Sequence, residues 1–218
     1  MLVKAIIINR NLLTTLKNTV EFLRKEKRVE IHILDQNSTY PDLLKWYKTI
    51  PEKVHYLSTN NGPYIAWDDK FKNLRNNYFI VTDPDCNYDG VPLDWLDKML
   101  SVLNTLKNNV FKVGFSLDID DLPNSEIGIQ AYNHEKKYWH KKIELGWDAH
   151  IDTTFALYKP KTPFSYNGLR LDKPYCIKHI PWYLTNETIT DEWLFYLKNA
   201  SSVSTWGSKL KLKLEKKN

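Results

Sequence analysis

Cysteine is nearly absent. Cys86 and Cys176 are the only two in 218 residues, too few for a disulfide framework and too isolated for a zinc site. No apolar run approaches the length of a membrane span. Nor does a basic segment, a long apolar stretch and a small-residue cleavage site precede Val3. The expectation is therefore a cytoplasmic chain in which the sequons at Asn37, Asn186 and Asn199 have no consequence. Charge of one sign is also in short supply, 31 basic residues against 26 acidic leaving only +5. That mild excess favours anionic ligands in general, and without a basic stripe interleaved with aromatics it gives no support to nucleic-acid binding. Much of it sits in the tail, residues 208–218, whose alternating Lys-Leu pattern fits a solvated terminus first and a weak contact with an acidic membrane surface second. Glycine is scarce, and none occurs in Asn9-Arg10-Asn11-Leu12-Leu13, so no glycine-rich phosphate loop follows the first apolar run.

What is present is an alternation of periods. With 42% apolar residues the chain can fill one sizeable core. Residues 3–8, 29–34, 54–57 and 78–82 read as strands. Between them Leu12, Leu16, Val20 and Leu23 share a helical face, Pro41 opens a second helix, and residues 65–74 predict a third. Pro92 introduces the helix carrying Leu96, Leu100 and Leu103. This order predicts an α/β fold, a single domain over residues 1–207 with a mainly parallel central sheet flanked by helices.

Each predicted strand runs into a polar cluster: Asn9-Arg10-Asn11, Asp35-Gln36-Asn37-Ser38, Asn60-Asn61-Gly62-Pro63 and Asp83-Pro84-Asp85. In an open parallel sheet such loops converge at the carboxyl ends of the strands, where ligands bind. The last cluster carries the most chemistry. Two aspartates one residue apart at the end of a buried strand suit Mg²⁺ or Mn²⁺ carrying a diphosphate, and without a cation or donors they repel.

These segments resemble the GT-A (Rossmann-like) glycosyltransferases, particularly the family-2-like enzymes, and the resemblance spans the chain. It is carried by Ile6-Ile7-Ile8-Asn9-Arg10-Asn11, Ile33-Leu34-Asp35-Gln36-Asn37-Ser38, Asn60-Asn61-Gly62-Pro63 and Thr82-Asp83-Pro84-Asp85. It implies a donor half over about residues 1–90 and an acceptor half over about 91–207. Asn9 and Arg10 would line the nucleotide pocket, Asp35 would bind the base, and Asn60 and Gly62 would close the wall. Asp85, with Asp83 directly or through ribose and water, would meet an Mn²⁺ or Mg²⁺ ion, and His179 would be a third ligand. The implied donor is a nucleotide sugar, UDP-linked by preference, and the acceptor a hydroxyl on a glycan, protein or small molecule.

A departing diphosphate needs a basic neighbour, for which Arg170 or Lys178 is a candidate, and an inverting reaction needs a carboxylate to take the acceptor proton. Asp152 and Asp120 lie at predicted strand ends on the acceptor side and are the first candidates; Asp121, Asp148, Asp191 and Glu192 follow. Asp191-Glu192 also opens a helix, where capping is its simpler task. Residues 132–147 lack a clear period and read as an acceptor loop. The aromatic residues suit sugar stacking and core filling alike.

Rival readings are weaker. A haloacid-dehalogenase-type phosphatase places its aspartate pair after the first strand, not the fourth. A sugar nucleotidylyltransferase needs the glycine-rich loop that is missing. A non-catalytic nucleotide-sugar or carbohydrate-binding module of the same fold would present the same donor pocket.

Overall fold

The computed structural model describes residues 1–106 and 110–200. The tail at 208–218 and Trp206 lie outside the described residues. The first half is the parallel part of a nine-stranded sheet. It comprises β1 (Val3–Asn9), β2 (Val29–Gln36), β3 (Lys53–Leu57) and β4 (Phe79–Thr82), laid side by side as β3-β2-β1-β4. Of these, β1 and β4 are near-continuous apolar runs because both faces are covered, whereas β3 is a partly exposed edge strand. Ile7, Ile33 and Ile80 pack on one side with Leu16, Val20 and Leu23 of α1 (Thr14–Arg24). Ile6, Leu34 and Val81 pack on the other with Phe71 and Tyr158. Truncating a fully buried side chain such as Leu16 would cost roughly 2–5 kcal/mol. After β2 comes α2 (Pro41–Tyr47), opened by its proline.

The helix expected over 65–74 is two 3₁₀ segments, Ile65–Trp67 and Asp69–Arg75. Asp68 interrupts them with extended ψ (145°), and its side chain accepts from the Lys70 amide to start the second.

Beyond β4 the sheet changes direction. After β5 (Cys86–Asn87) and α3 (Trp95–Thr105) come β6 (Lys112–Gly114), β7 (Ser116–Leu117) and α4 (Glu126–Glu135). Then follow β8 (Lys142–Ile143), β9 (Gly146–His150), β10 (Phe155–Tyr158), β11 (Asn167–Arg170), β12 (Cys176–His179) and α5 (Asp191–Lys198). The large sheet continues β4-β10-β6-β11-β9-β8, and β10 runs antiparallel to both β4 and β6. The result is one mixed sheet flanked by helices. At the β6–β10 seam Gly114 is required, since a Cβ there would stand 2.4 Å from the Phe155 carbonyl oxygen. A second small sheet, β5-β12-β7, crosses the carboxyl ends of the large one.

Residues 132–147 are more ordered than an acceptor loop. Ser125 caps α4, accepting from the Gly128 amide at 3.2 Å, and the helix carries through to Glu135. A 3₁₀ turn (Lys136–Trp139) and the β8–β9 hairpin follow. The period is hard to read because β8 is a short, exposed edge strand. No helix among the described residues is long and apolar enough to cross a membrane. Both cysteines are free thiols.

Candidate active site

A cavity of about 430 Å³ opens at the carboxyl ends of β1, β2 and β4. One wall comes from the loops foreseen by the strand-end clusters, through Arg10, Gln36, Asn60, Gly62, Asp83 and Asp85. The opposite wall comes from the second half, through Glu135, Tyr138, Asp152, Tyr166, Arg170 and His179.

Backbone pairing explains how remote residues meet here. The β12–β5 register sets His179 opposite Cys86, and Ile180 donates its amide to the Asp85 carbonyl at 2.9 Å. His179 Nε2 consequently lies 3.6 Å from Asp85 Oδ2. The antiparallel entry of β10 brings the segment before it against the end of β4. The Asp83 amide donates to the Thr154 carbonyl at 3.3 Å, Thr82 Oγ1 donates to the same carbonyl at 2.8 Å, and Thr153 Oγ1 donates to Asp83 Oδ2 at 3.0 Å.

Three carboxylates are thus crowded together. Burial, then the charges of Asp85 and Asp152, push the Asp83 carboxyl well above its ordinary range, against the pull of His179 and the Thr153 bond. Asp152 goes the other way: burial opposes its charge, yet the hydroxyl and amide of Thr154, with Arg170 and His179, hold it below the usual range. Both Thr154 bonds fall on Asp152 Oδ1, so its Oδ2 has no protein partner among the described residues. His179 is raised on balance, because Asp85, Asp152 and Asp83 outweigh the burial that lowers it.

The donor set fits a hard divalent cation. Asp85 Oδ1 and His179 Nδ1 are buried without a hydrogen-bond partner, and the carboxylates are short of positive charge. Among the described residues no three His, Cys, Asp or Glu side chains are grouped so as to hold a metal ion by themselves.

The basic residues are not equivalent. The Arg170 guanidinium is committed: Nη1 to Glu135, Nε to the His150 carbonyl at 2.8 Å, and its plane 4.6 Å from the centre of the Tyr138 ring. Lys178 pairs with Asp121, away from the cavity lining. Arg10 has no ion pair among the described residues, and its Nε is buried without a partner.

Asn9, Asp35 and Asp120 do not line the cavity. Asn9 donates to the Tyr47 hydroxyl at 2.8 Å, that hydroxyl donates to Asp35 Oδ2 at 2.9 Å, and Asp35 Oδ1 accepts from the Ser38 amide at 3.0 Å. This buried chain fixes the two loops beside the cavity. Asp120 is exposed and paired with Lys173 at 2.5 Å. Behind Asp152, the buried Lys112 donates from Nζ to the Ile151 carbonyl at 2.5 Å.

The family model for glycosyl transferase family 2 matches residues 5–161, which include both strand-end aspartates and Asp152. The chain belongs to glycosyl transferase family 2. No curated protein matches it. Among solved structures, this family 2 glycosyltransferase is similar to the mannosyltransferase PcManGT from Pyrobaculum calidifontis, in complex with GDP-Man and Mn²⁺. The TM-score is 0.52 at 13% identity, over 98% of this chain and 68% of that one. Looser similarities are to S. aureus TarS (TM-score 0.40, 15% identity, 58% of this chain and 23% of that one). A third is to a cytidylyltransferase from Leptospira borgpetersenii serovar Hardjo-bovis (TM-score 0.43, 13% identity, 73% and 60%). The GT-A architecture is what this glycosyltransferase shares with the mannosyltransferase.

Several cavity residues carry no motif that sequence reading could use. Glu135 and Tyr138 sit in the stretch that reads as a loop, and Tyr166 precedes a short strand. Gln36 lies in a foreseen cluster, and it ties two of the loops together by accepting from the Asn61 amide at 2.8 Å.

Proposed function

We propose that this glycosyltransferase moves a sugar from a nucleoside-diphosphate donor, UDP-linked by preference, to an acceptor hydroxyl, with a divalent cation at Asp85 and His179. The observation that carries this is the meeting of Asp83, Asp85, Asp152, His179 and the unpaired Arg10 in one cavity.

Asp152 is the proposed proton acceptor, being ionised and having one oxygen unengaged. In a direct displacement, the acceptor oxygen loses its proton to Asp152 and bonds to the anomeric carbon. The bond from that carbon to the diphosphate oxygen breaks, and its electron pair leaves with the nucleoside diphosphate. Arg10 takes up the charge growing on that leaving group, a role that the pairing of Arg170 with Glu135 leaves to it. Asp85 and His179, with Asp83 directly or through water, would hold Mn²⁺ or Mg²⁺. The bound ion would neutralise the diphosphate as a Lewis acid.

Calorimetric titration of UDP-glucose and of GDP-mannose, with Mn²⁺ and then with chelator, tests the reading. Binding that needs metal and disappears in Asp85→Ala supports it. Binding indifferent to metal and to Asp85 removes the cation from the mechanism, and no binding of either donor overturns the donor site.

A further inference from the structure

We infer that the cavity mouth and the wall opposite the nucleotide loops form an acceptor subsite for an uncharged sugar ring. Tyr64, at the end of the Asn60–Pro63 loop, and Tyr166, from the opposite wall, meet as the stacking platform, and the Glu135–Arg170 pair is the hydrogen-bonding floor. The inference rests on the donor reading above and narrows the acceptor to one chemical class.

The platform is the first observation. Tyr64 and Tyr166 both line the cavity, yet they are 43% and 46% exposed. Their hydroxyls are 2.5 Å apart, and Phe164 backs both rings, with centroids 4.4 Å from Tyr64 and 5.0 Å from Tyr166. Two large aromatic rings held this firmly while facing open space present a preorganised apolar surface at the mouth of a polar cavity. The C–H faces of a pyranose ring match such a surface.

The floor is the second, independent observation. Glu135 and Arg170 are 1% and 5% exposed, and they neutralise each other. Arg170 Nη2 and Glu135 Oε2 have no protein partner among the described residues, so the pair offers adjacent donors and an acceptor without net charge. Neighbouring hydroxyls of a sugar can satisfy both at once. An acceptor bearing phosphate or carboxylate would meet a guanidinium whose charge Glu135 already neutralises, in a cavity that also holds Asp83, Asp85 and Asp152. Burial of an ion pair carries a desolvation cost, which a hydroxyl-rich ligand partly relieves by supplying the missing bonds.

The floor and Asp152 line the same cavity. A ring seated on the tyrosines and hydrogen-bonded to the floor has its remaining hydroxyls directed along the wall that carries Asp152.

Saturation-transfer NMR on the full chain with Mn²⁺ and nucleoside diphosphate tests this. The probes are the methyl glycosides of glucose, galactose, mannose and N-acetylglucosamine, against the 6-phosphates of the same sugars. Expected are signals from at least one neutral glycoside, and about tenfold weaker binding of it in Tyr166→Ala and Tyr64→Ala. Preferential binding of the sugar phosphates overturns the inference. So does neutral-sugar binding untouched by both tyrosine substitutions, or no glycoside signal from a protein that binds the donor nucleotide. Failure of the nucleotide itself to bind strikes the donor reading instead, and a nucleotide titration of the same samples tells the two apart.

Discussion

Glu192 caps the helix that begins at Thr14. Its Oε1 accepts from the Leu13 and Thr14 amides at 2.7 and 3.0 Å, and Oε2 accepts from the Thr14 hydroxyl at 2.7 Å. Helix α1 has no side-chain cap of its own at Leu13, so the carboxylate of α5 satisfies its first amides and faces its dipole. Helix α5 is capped separately, by Thr190 Oγ1 accepting from the Trp193 amide. The capping expected of Asp191-Glu192 is real, but Glu192 performs it on another helix. Its partners directly follow the loop that bears Arg10.

Glu192→Ala should lower unfolding stability by about 1–2 kcal/mol, the scale of a lost N-cap, as read by urea denaturation. Donor affinity should fall as well, because the Arg10 loop loses its anchor. A variant that is destabilised but binds donor normally would confine Glu192 to folding.

Asp152→Asn keeps the shape of the side chain and removes its basicity. The expected loss in kcat is about 10²–10⁴-fold, with donor Kd changed far less. Unreduced kcat would move the proton acceptor elsewhere, Glu135 being the other carboxylate on that wall.

Acid should destabilise the protein through His32. Its Nδ1 lies 3.0 Å from His55 Nε2, and its Nε2 lies 3.2 Å from Glu30. Burial, reinforced by His55, Lys53 and Lys4 against Glu30, lowers its pKa from 6.5 to about 4. Between those values the unfolded chain binds the proton that the folded one refuses. This contribution to stability is therefore complete above pH 6.5 and falls as pH drops toward 4, by up to about 3 kcal/mol. Denaturation midpoints of His32→Asn across this window should show a flatter slope than the parent; parallel slopes would clear His32 of the effect.

Lys112 acts in the same direction, in a more alkaline window. Burial lowers its pKa from 10.5 to about 7, despite the pull of Asp152. Above pH 7 the folded state sheds a proton that the unfolded state keeps, so stability gains at most about 1.4 kcal/mol per pH unit up to 10.5. Lys112→Met should abolish that gain in a comparison of the two proteins. It should also lower kcat, because the Ile151 carbonyl next to Asp152 loses its donor.

Much of the wall built from the strand-end loops was legible because each of its loops follows a strand whose apolar run is unmistakable. Ile6-Ile7-Ile8 and Phe79-Ile80-Val81 are buried on both faces, so position along the chain translates directly into position in the sheet. Asp83, Asp85 and Arg10 follow from that. The opposite wall obeys no such rule. Tyr138, Tyr166 and Glu135 reach the cavity through short strands and a 3₁₀ turn whose order depends on long-range pairing. Asp120 and Asp152 looked equivalent as acids near strand ends, and only the turn after β7 separates them, aiming Asp120 toward Lys173. Asp35 and Asn9 needed the packing of Tyr47 to reveal their hydrogen-bonded chain.

The antiparallel arrival of β10 has a consequence for biogenesis. Strand β4 is buried at all four of its residues, but one of its two edges is closed only by β10, which leaves the ribosome after α3, β6 and α4. Until Phe155 emerges, the nascent chain displays Phe79-Ile80-Val81-Thr82 as an open, largely apolar sheet edge, a template for strand addition by any neighbouring chain. Synthesis of this glycosyltransferase thus passes through an interval in which its amino-terminal half is the species most exposed to aggregation and to capture by chaperones.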